Sequence, residues 1–293
     1  MSGSMITMFA YAKVNLALAI SGLREDQYHE LESVMQSVEL HDVVRVGRRG
    51  SGLVCHCGSL SGPQNLAYQA ANLFLQRWGR QEGIEIEITK HIPVEAGLAG
   101  GSSDAAAVLR ALNRLFGFPY TPDILREMAA ALGADVPFCL AGGTMWATGR
   151  GEVLEALPAA PALPLVLVKP RPGVNTEEVY RRWDWSGPRS RLKREDWQAV
   201  LRRPAAAKVA ALLSNALEPA AIELVPAIAE IKAKLLRAGC LGALMSGSGS
   251  AVFGLAESDS RAQEIAKNLG QDQSWQIWVT RFQGENSGEV DLR

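Results

Sequence analysis

The chain has 293 residues, with 30 basic and 31 acidic side chains, and its formal net charge is −1 at pH 7. This balance gives no indication of binding to nucleic acid or to an anionic membrane, and no apolar run reaches the roughly 20 residues that span a bilayer. Hydrophobic residues make up 47% of the chain, so it can bury the core of one large domain or two. Four cysteines and an N-terminus without signal-peptide anatomy predict reduced thiols and a cytoplasmic protein.

The first predicted element is a strand over residues 10–20, where apolar residues alternate with polar ones. Lys13 and Asn15 are two positions apart, so they project from the same face of this strand. A lysine buried there needs a partner, because an unpaired ammonium is costly to bury. The alternative is an edge strand with one solvated face.

A polar loop at 22–27 precedes the pair Tyr28-His29. An aromatic ring beside a histidine can stack on a planar ligand and hydrogen-bond to it. The simpler alternative is a half-buried tyrosine next to an exposed histidine.

The segment from 43 to 88 predicts short strands and one helix. Strands are predicted at 43–46, 52–56 and 84–88, and a helix at 65–78 with Asn65 as its N-cap. Cys55-His56-Cys57 lacks the C-x₂-C spacing of a zinc site, so we interpret these cysteines as strand packing and predict no protein metal site.

A glycine-rich stretch leads from residue 97 into a helix pattern that ends at 116. Ser102, Ser103 and Asp104 stand at the helix entry and are residue types that cap free N–H groups. Such a turn presents backbone donors and the positive end of the helix dipole to one point, which suits a phosphate. The stretch has neither G-x-G-x-x-G nor G-K-[ST], so a bound phosphate would need a cation from elsewhere, and a plain strand–helix turn is the alternative.

Asp135 follows a helix predicted at 121–132 and comes two residues before Pro137. Its ordinary role would be to hydrogen-bond to its own turn. A proline- and alanine-rich segment at 157–163 is the best domain boundary.

The remaining elements are predicted from their periodicity and turn residues. They are two strands within 142–157, a strand at 163–169, a helix starting at 175, loops at 183–193, a helical segment at 205–238 interrupted at Pro219 and Pro226, two strands around a glycine loop at 246–250, a helix at 260–269, a strand at 274–282 and a polar tail at 284–293.

Four motifs together resemble the GHMP kinase superfamily over residues 10–255. They are A-K-x-N-L at 12–16, P-x-x-x-G-L-x-G-G-S-S-D-A-A at 93–106, L-G-A-D-V-P at 132–137 and S-G-S-G at 246–249. Within the superfamily, Tyr28-His29 and the Gly-Ala-Asp-Val-Pro turn are similar to the members that phosphorylate 4-diphosphocytidyl-2-C-methyl-D-erythritol in the non-mevalonate isoprenoid route.

The resemblance implies an α+β fold of two domains with the active site between them. The expected N-terminal ATP-binding domain covers 1–157 and is ribosomal protein S5 domain 2-like. The expected C-terminal domain covers 164–293 and is a ferredoxin-like α/β sandwich.

The resemblance also implies roles for individual residues. The catalytic pair would be Lys13 and Asp135, and the cytidyl substrate would be bound by Asn15, Tyr28, His29 and Tyr180. The phosphates of ATP, with their Mg²⁺, would be wrapped by Pro93, Val94, Glu95, Ala96, Gly97, Leu98, Ala99, Gly100, Gly101, Ser102 and Ser103, with Asn65 near the adenine.

These roles agree with phosphoryl-transfer chemistry, which needs positioning and charge stabilisation. Asp135 can accept the proton of the attacking hydroxyl, and Lys13 can hold Asp135 ionised and neutralise charge on the transferred group. Another small-molecule GHMP kinase, of the homoserine or mevalonate type, and a non-catalytic nucleotide-sensing homologue remain alternatives. The sequence leaves the choice between monomer and homodimer open.

Four positions depart from the family pattern. Gln27 replaces a glycine before Tyr-His, and Ala99 replaces a glycine or small residue without expected harm. Glu95 brings a negative charge into the phosphate loop, so we expect it to point to solvent. Arg150 lies where the family uses main chain, so its side chain is not expected to define specificity.

Overall fold

The structure of the protein is a computed structural model that describes residues 5–25, 28–186, 189–203, 205–270 and 274–283. The predictions for Gln27 and for the tail at 284–293 fall outside these ranges. The mixed strands and helices of the described chain confirm the α+β class. None of the described helices is long and apolar enough to cross a membrane.

Strands of the described chain form two sheets. In chain order they are β1 (Ile6–Leu23), β2 (His29–Arg49), β3 (Leu53–His56), β4 (Gly83–Thr89), β5 (Thr144–Gly149), β6 (Val153–Ala156), β7 (Pro164–Pro170), β8 (Ser214–Asn215), β9 (Gly242–Met245), β10 (Val252–Leu255) and β11 (Trp275–Arg281). The first sheet has the order β3-β4-β2-β1-β8, with β5 and β6 branching from β2, and the second has the order β11-β7-β10-β9.

Helices cover both sheets. They are α1 (Leu66–Trp78), α2 (Gly100–Leu115), α3 (Pro122–Leu132), α4 (Val136–Ala141), α5 (Thr176–Ser186), α6 (Arg194–Arg202), α7 (Ala206–Ala211), α8 (Glu218–Leu224), α9 (Ala227–Arg237) and α10 (Asp259–Leu269). The first core packs α1, α2 and α3 against the first sheet. Cys55 and Cys57 are buried in this core, as the packing interpretation expects. The division into domains at 157 and 164 stays a prediction.

The long hairpin of β1 and β2 carries the cleft side chains at its centre. All residues from 12 to 20 are buried, so β1 has no solvated face there and the edge-strand alternative for Lys13 is wrong. The pairing register with β2 shifts between Tyr11 and Lys13 and again between Asn15 and Ala17. Such bulges redirect side chains locally, and Lys13 and Asn15 lie between the two shifts.

The predicted cap of α2 is wrong. The helix begins at Gly100, and its N-cap is Ala99, with φ 57° and no side-chain hydrogen bond. Ser103 and Asp104 therefore lie inside the helix and cannot cap it. The left-handed backbone at Ala99 starts the helix earlier than the polar residues indicated.

Two predicted segments of the second half also change. Helix α5 continues through 183–186, where a loop was expected, and α6 follows at Arg194–Arg202. The segment at 205–238 is broken by β8, which pairs with Ala17 and Leu18 of β1. Pro219 lies in the first turn of α8, where a missing N–H costs little, so it does not interrupt the helix.

Candidate active site

A cleft of about 1630 Å³ lies between the first sheet and the elements that follow residue 170. It brings together most of the side chains singled out in the sequence. It is lined by Lys13, Asn15, Tyr28, His29, Asn65, residues 93–102, Asp135 and Tyr180.

The glycine loop turns its carbonyl groups toward the protein. Lys13 N donates to Leu98 O at 3.1 Å, and Ala251 N donates to Ala96 O at 3.1 Å. The Ser246 hydroxyl donates to Gly97 O at 2.9 Å. From residue 97 to residue 102, the backbone N–H groups find no acceptor within the described chain. These donors and the N-terminus of α2 can therefore bind an anion.

Gly97 is needed for this close packing of two loops. Its φ is +72°, and a Cβ there would lie 2.1 Å from Ser246 O. Ala99 also takes left-handed backbone, which costs an alanine about 1 kcal/mol, so this departure is not free. Glu95 is exposed, as expected, and its carboxylate lies beside Gly173 across the cleft.

Ser103 and Asn65 differ in their access to the cleft. The hydroxyl of Ser103 donates to Tyr11 O at 2.6 Å, and its backbone N–H donates to Ala99 O. Both donors are therefore occupied within the protein, and Ser103 does not join the open N–H groups of residues 97–102. Asn65 caps α1, as predicted, by accepting from Ala67 N at 2.9 Å. Its amide also donates to Leu60 O at 2.9 Å.

Lys13 and Asp135 form an ion pair across the cleft. The distance from Lys13 Nζ to Asp135 Oδ2 is 3.7 Å, with the lysine side chain 5% exposed and the aspartate 34%. Asp135 stands at the N-terminus of α4 without a side-chain hydrogen bond to it, so the turn-capping alternative is wrong. Its carboxylate is free to meet a hydroxyl from the cleft.

Asn15 orients the lysine. Lys13 Nζ donates to Asn15 Oδ1 at 2.5 Å, and Asn15 Nδ2 donates to the Ser33 hydroxyl at 2.8 Å. The second glycine loop, residues 246–250, packs closely against both residues. A Cβ added to Gly247 would lie 3.2 Å from Asn15 Oδ1 and 3.4 Å from Lys13 Nζ.

The other end of the cleft is aromatic. The rings of His29 and Tyr180 stack with centroids 4.8 Å apart, and Trp183 meets His29 edge-on at 5.5 Å. Tyr28 is 54% exposed, and the Arg150 guanidinium carbon lies 4.9 Å from its ring centroid. Burial, with a further contribution from the charge of Asp135, raises the pKa of Tyr180.

Sequence reasoning missed Asp184, whose Oδ1 lies 2.7 Å from His29 Nε2. The expected loop at 183–193 concealed it. A helix reading of 176–186 would have put residues 180, 183 and 184 on one face.

A buried charge cluster beside the loop was also missed. Lys90 Nζ donates to Asp104 Oδ2 at 2.7 Å and to Asp42 Oδ2. Asp42 Oδ1 also accepts from Ile92 N at 2.8 Å, whereas Asp104 Oδ1 is buried without a partner. Burial raises the pKa of Asp104 to about 7, because the attraction of Lys90 does not compensate for it. No local sequence signal links these positions.

Comparison with known proteins gives two family matches. Residues 65–143 match the GHMP kinases N terminal domain, and residues 198–273 match the GHMP kinases C terminal domain. A 4-diphosphocytidyl-2-C-methyl-D-erythritol kinase of Desulfitobacterium hafniense (strain Y51) is 55% identical over 276 residues, covering 94% of this chain and 95% of the relative. The Pelotomaculum thermopropionicum protein of the same name is 48% identical, covering 94% of this chain and 97% of the relative.

Solved structures show the same relation. A crystal structure of 4-(cytidine 5'-diphospho)-2C-methyl-D-erythritol kinase matches with a TM-score of 0.83 and 39% identity, covering 96% of this chain and all of the other. A homoserine kinase from Cytophaga hutchinsonii matches with a TM-score of 0.74 but 22% identity, covering 96% of each chain. The second likeness concerns the fold alone.

Proposed function

We propose that this chain, which belongs to the family of GHMP kinases, transfers the γ-phosphoryl group of ATP to the 2-hydroxyl of 4-diphosphocytidyl-2-C-methyl-D-erythritol. The observation that carries the proposal is one cleft with two different ends. The open N–H groups of residues 97–102 and the N-terminus of α2 fit the phosphates of a nucleotide. The aromatic end fits a flat base.

Chemistry takes place between these ends, at the Lys13–Asp135 pair. The carboxylate of Asp135 accepts the proton of the attacking hydroxyl or orients it for in-line attack. The ammonium of Lys13, held by Asn15 and nearly sealed from solvent, pairs with the Asp135 carboxylate and neutralises charge that grows on the transferred phosphoryl group. Because both groups belong to the protein and are in place before substrate binds, little reorganisation is needed.

The substrate end combines Tyr28, His29 and Tyr180, which offer ring faces and a histidine hydrogen bond to a cytosine. Asn65 lines the same cleft as residues 93–102, which we term the nucleotide loop, and we assign it to the adenine side. Magnesium would be held by the phosphates of ATP and would supply positive charge that offsets theirs. A cluster of three side chains fit to hold a metal is not found in the described part of the chain.

We also propose that the enzyme works in the cytoplasm, in keeping with four unpaired and buried cysteine thiols. The rival small-molecule kinases of the homoserine or mevalonate type would not need stacked rings for a base. A nucleotide sensor without turnover would not need Lys13 and Asp135 together.

The test is Asp135→Asn. We expect phosphorylation of the cytidyl substrate to fall by about a thousandfold or more, because the amide cannot accept the proton, while ATP binding measured by calorimetry stays within a few-fold. Asp123→Asn, at an exposed aspartate of α3, serves as control and should leave both unchanged. Retained turnover in Asp135→Asn would refute the assigned base. Turnover of homoserine or mevalonate, with none of the cytidyl substrate, would refute the substrate.

A further inference from the structure

Three residues of α5 hold the imidazole of His29. Tyr180 stacks on one face of the ring, Trp183 meets it edge-on, and Asp184 Oδ1 lies 2.7 Å from Nε2. Positions 180, 183 and 184 share one face of the helix. The imidazole side chain is only 12% exposed, although His29 itself belongs to the first sheet. The ring is thereby fixed in position and in rotation by elements far apart in the chain.

The hydrogen bond to Asp184 also fixes the proton of the ring. An ionised carboxylate only accepts hydrogen bonds, so Nε2 must carry a hydrogen and donate it. In the neutral imidazole the other nitrogen, Nδ1, is then an acceptor. Nδ1 has no hydrogen-bond partner within the described chain, and His29 lines the cleft. An acceptor is therefore presented to the ligand.

We infer that Asp184 is the positioning residue that makes His29 select cytosine over uracil. The amino group of cytosine is a donor, whereas a uracil-type base has a carbonyl acceptor at the same place. An acceptor at Nδ1 pairs with the first and repels the second. A site built to bind a donor rejects an analogue that lacks it strongly, because the polar groups of the site are then left unpaired. This inference rests on the proposed function, since it concerns the base of the proposed substrate.

The test compares the substrate with its uridine counterpart. We expect wild-type protein to prefer the cytidine compound, and Asp184→Asn to lower the ratio of the two kcat/KM values by about tenfold or more. The asparagine amide can donate to Nε2 as well as accept from it, so it no longer selects one tautomer. The loss should lie in the KM for the cytidyl substrate, with kcat and the KM for ATP nearly unchanged. Asp184→Glu keeps a carboxylate and should restore much of the preference.

Glu223→Gln is the matched control. Glu223 lies on α8, pairs at 2.6 Å with Arg182 of α5, the helix that carries Asp184, and does not line the cleft. It should leave the base preference unchanged. Nitrogen-15 NMR of the histidine rings gives a readout independent of turnover. The sequence has four histidines, and a His29→Gln variant identifies the signal of His29. We expect the Nε2–H form in wild-type protein and a mixture in Asp184→Asn.

An unchanged base preference in Asp184→Asn, or a neutral wild-type ring protonated on Nδ1, would overturn the inference. Failure of the proposed function looks different. Wild-type protein would then phosphorylate neither compound, while the NMR spectra would still decide whether Asp184 fixes the tautomer.

Discussion

At the scale of single residues, Asp42 and Asp104 compete for one lysine in the buried cluster beside α2. Asp42 has backbone donors as well as Lys90, so its charge is compensated. Asp104 has Lys90 alone and one oxygen without a partner. Burial lowers the pKa of Lys90, but the two carboxylates outweigh it and raise that pKa overall. Asp104 is therefore the carboxylate of the cluster with the fewest hydrogen-bond donors.

Burial raises the pKa of Asp104 from its ordinary value of 3.8 to about 7 in the folded protein. A raised pKa in a folded acid means that the native state binds protons more tightly, so its stability falls as pH rises between these two values. We predict that Asp104→Asn removes this dependence. Between pH 5 and pH 8, the free energy of unfolding of wild-type protein should fall by about 2 kcal/mol relative to the variant.

Urea unfolding at several pH values measures this difference, with Asp123→Asn as the exposed control. A gap between wild type and Asp104→Asn that stays constant with pH would show that Asp104 is ionised throughout. A free energy of unfolding of wild type that rises with pH, relative to that of Asp104→Asn, would contradict the sign.

At the scale of elements, α1 and α2 begin in different ways. Helix α1 has the side-chain cap that its sequence indicates, because Asn65 accepts from Ala67 N. Helix α2 starts from a left-handed alanine and leaves its first N–H groups open. At a capped helix end, side chains of the protein accept hydrogen bonds from the free backbone N–H groups. At an uncapped end these N–H groups remain available to bind an anion.

We predict that Asn65→Ala lowers the free energy of unfolding by about 1 kcal/mol, because the cap of α1 is lost. Asn65→Asp keeps an accepting oxygen and should retain most of this stability, while losing the amide that donates to Leu60 O. Thermal unfolding and the KM for ATP, measured on both variants, separate the cap from the proposed adenine contact. Equal stability of Asn65→Ala and wild type would show that the cap contributes nothing.

The elements show where local sequence suffices. Periodicity and turn residues predicted α1, α3, α10 and the strands around the second glycine loop, because their signals lie within each segment. They failed at β8, a short strand that exists only through its pairing with β1. The same local signals also mispredicted the start of α2. There the left-handed backbone of Ala99 in the packed glycine loop, rather than a capping side chain, begins the helix.

At the scale of the whole molecule, the two glycine loops are joined. Asn215 of β8 donates to Met245 O at 2.9 Å and to Gly247 O at 2.8 Å, although β8 belongs to the first sheet. The hydroxyl of Ser246 donates to Gly97 O at 2.9 Å and accepts from Asn15 N at 3.3 Å. The proposed nucleotide loop is thus supported by the loop that joins β9 and β10 of the second sheet.

The parts of the site that local motifs carry could be predicted from the sequence, whereas contacts between distant parts of the chain could not. Lys13, Asp135 and the glycine loop came from motifs in the sequence, and the structure brings them to one cleft. The contact of His29 with Asp184 spans 155 positions and has no motif. Such contacts depend on how the second half packs, which a local pattern does not encode.

Ser246→Ala tests the junction of the two loops. The serine is fully buried, and its removal leaves Gly97 O and Asn15 N without their partner, so the free energy of unfolding should fall by about 1–3 kcal/mol. Because Gly97 belongs to the nucleotide loop, the KM for ATP should also rise.

Ser250→Ala is the matched control: Ser250 is equally buried and donates to Pro172 O at 2.8 Å, within the second half of the chain. Its loss should cost similar stability with a smaller change in the KM for ATP. Identical KM values for both variants would show that the loop holds its shape without Ser246.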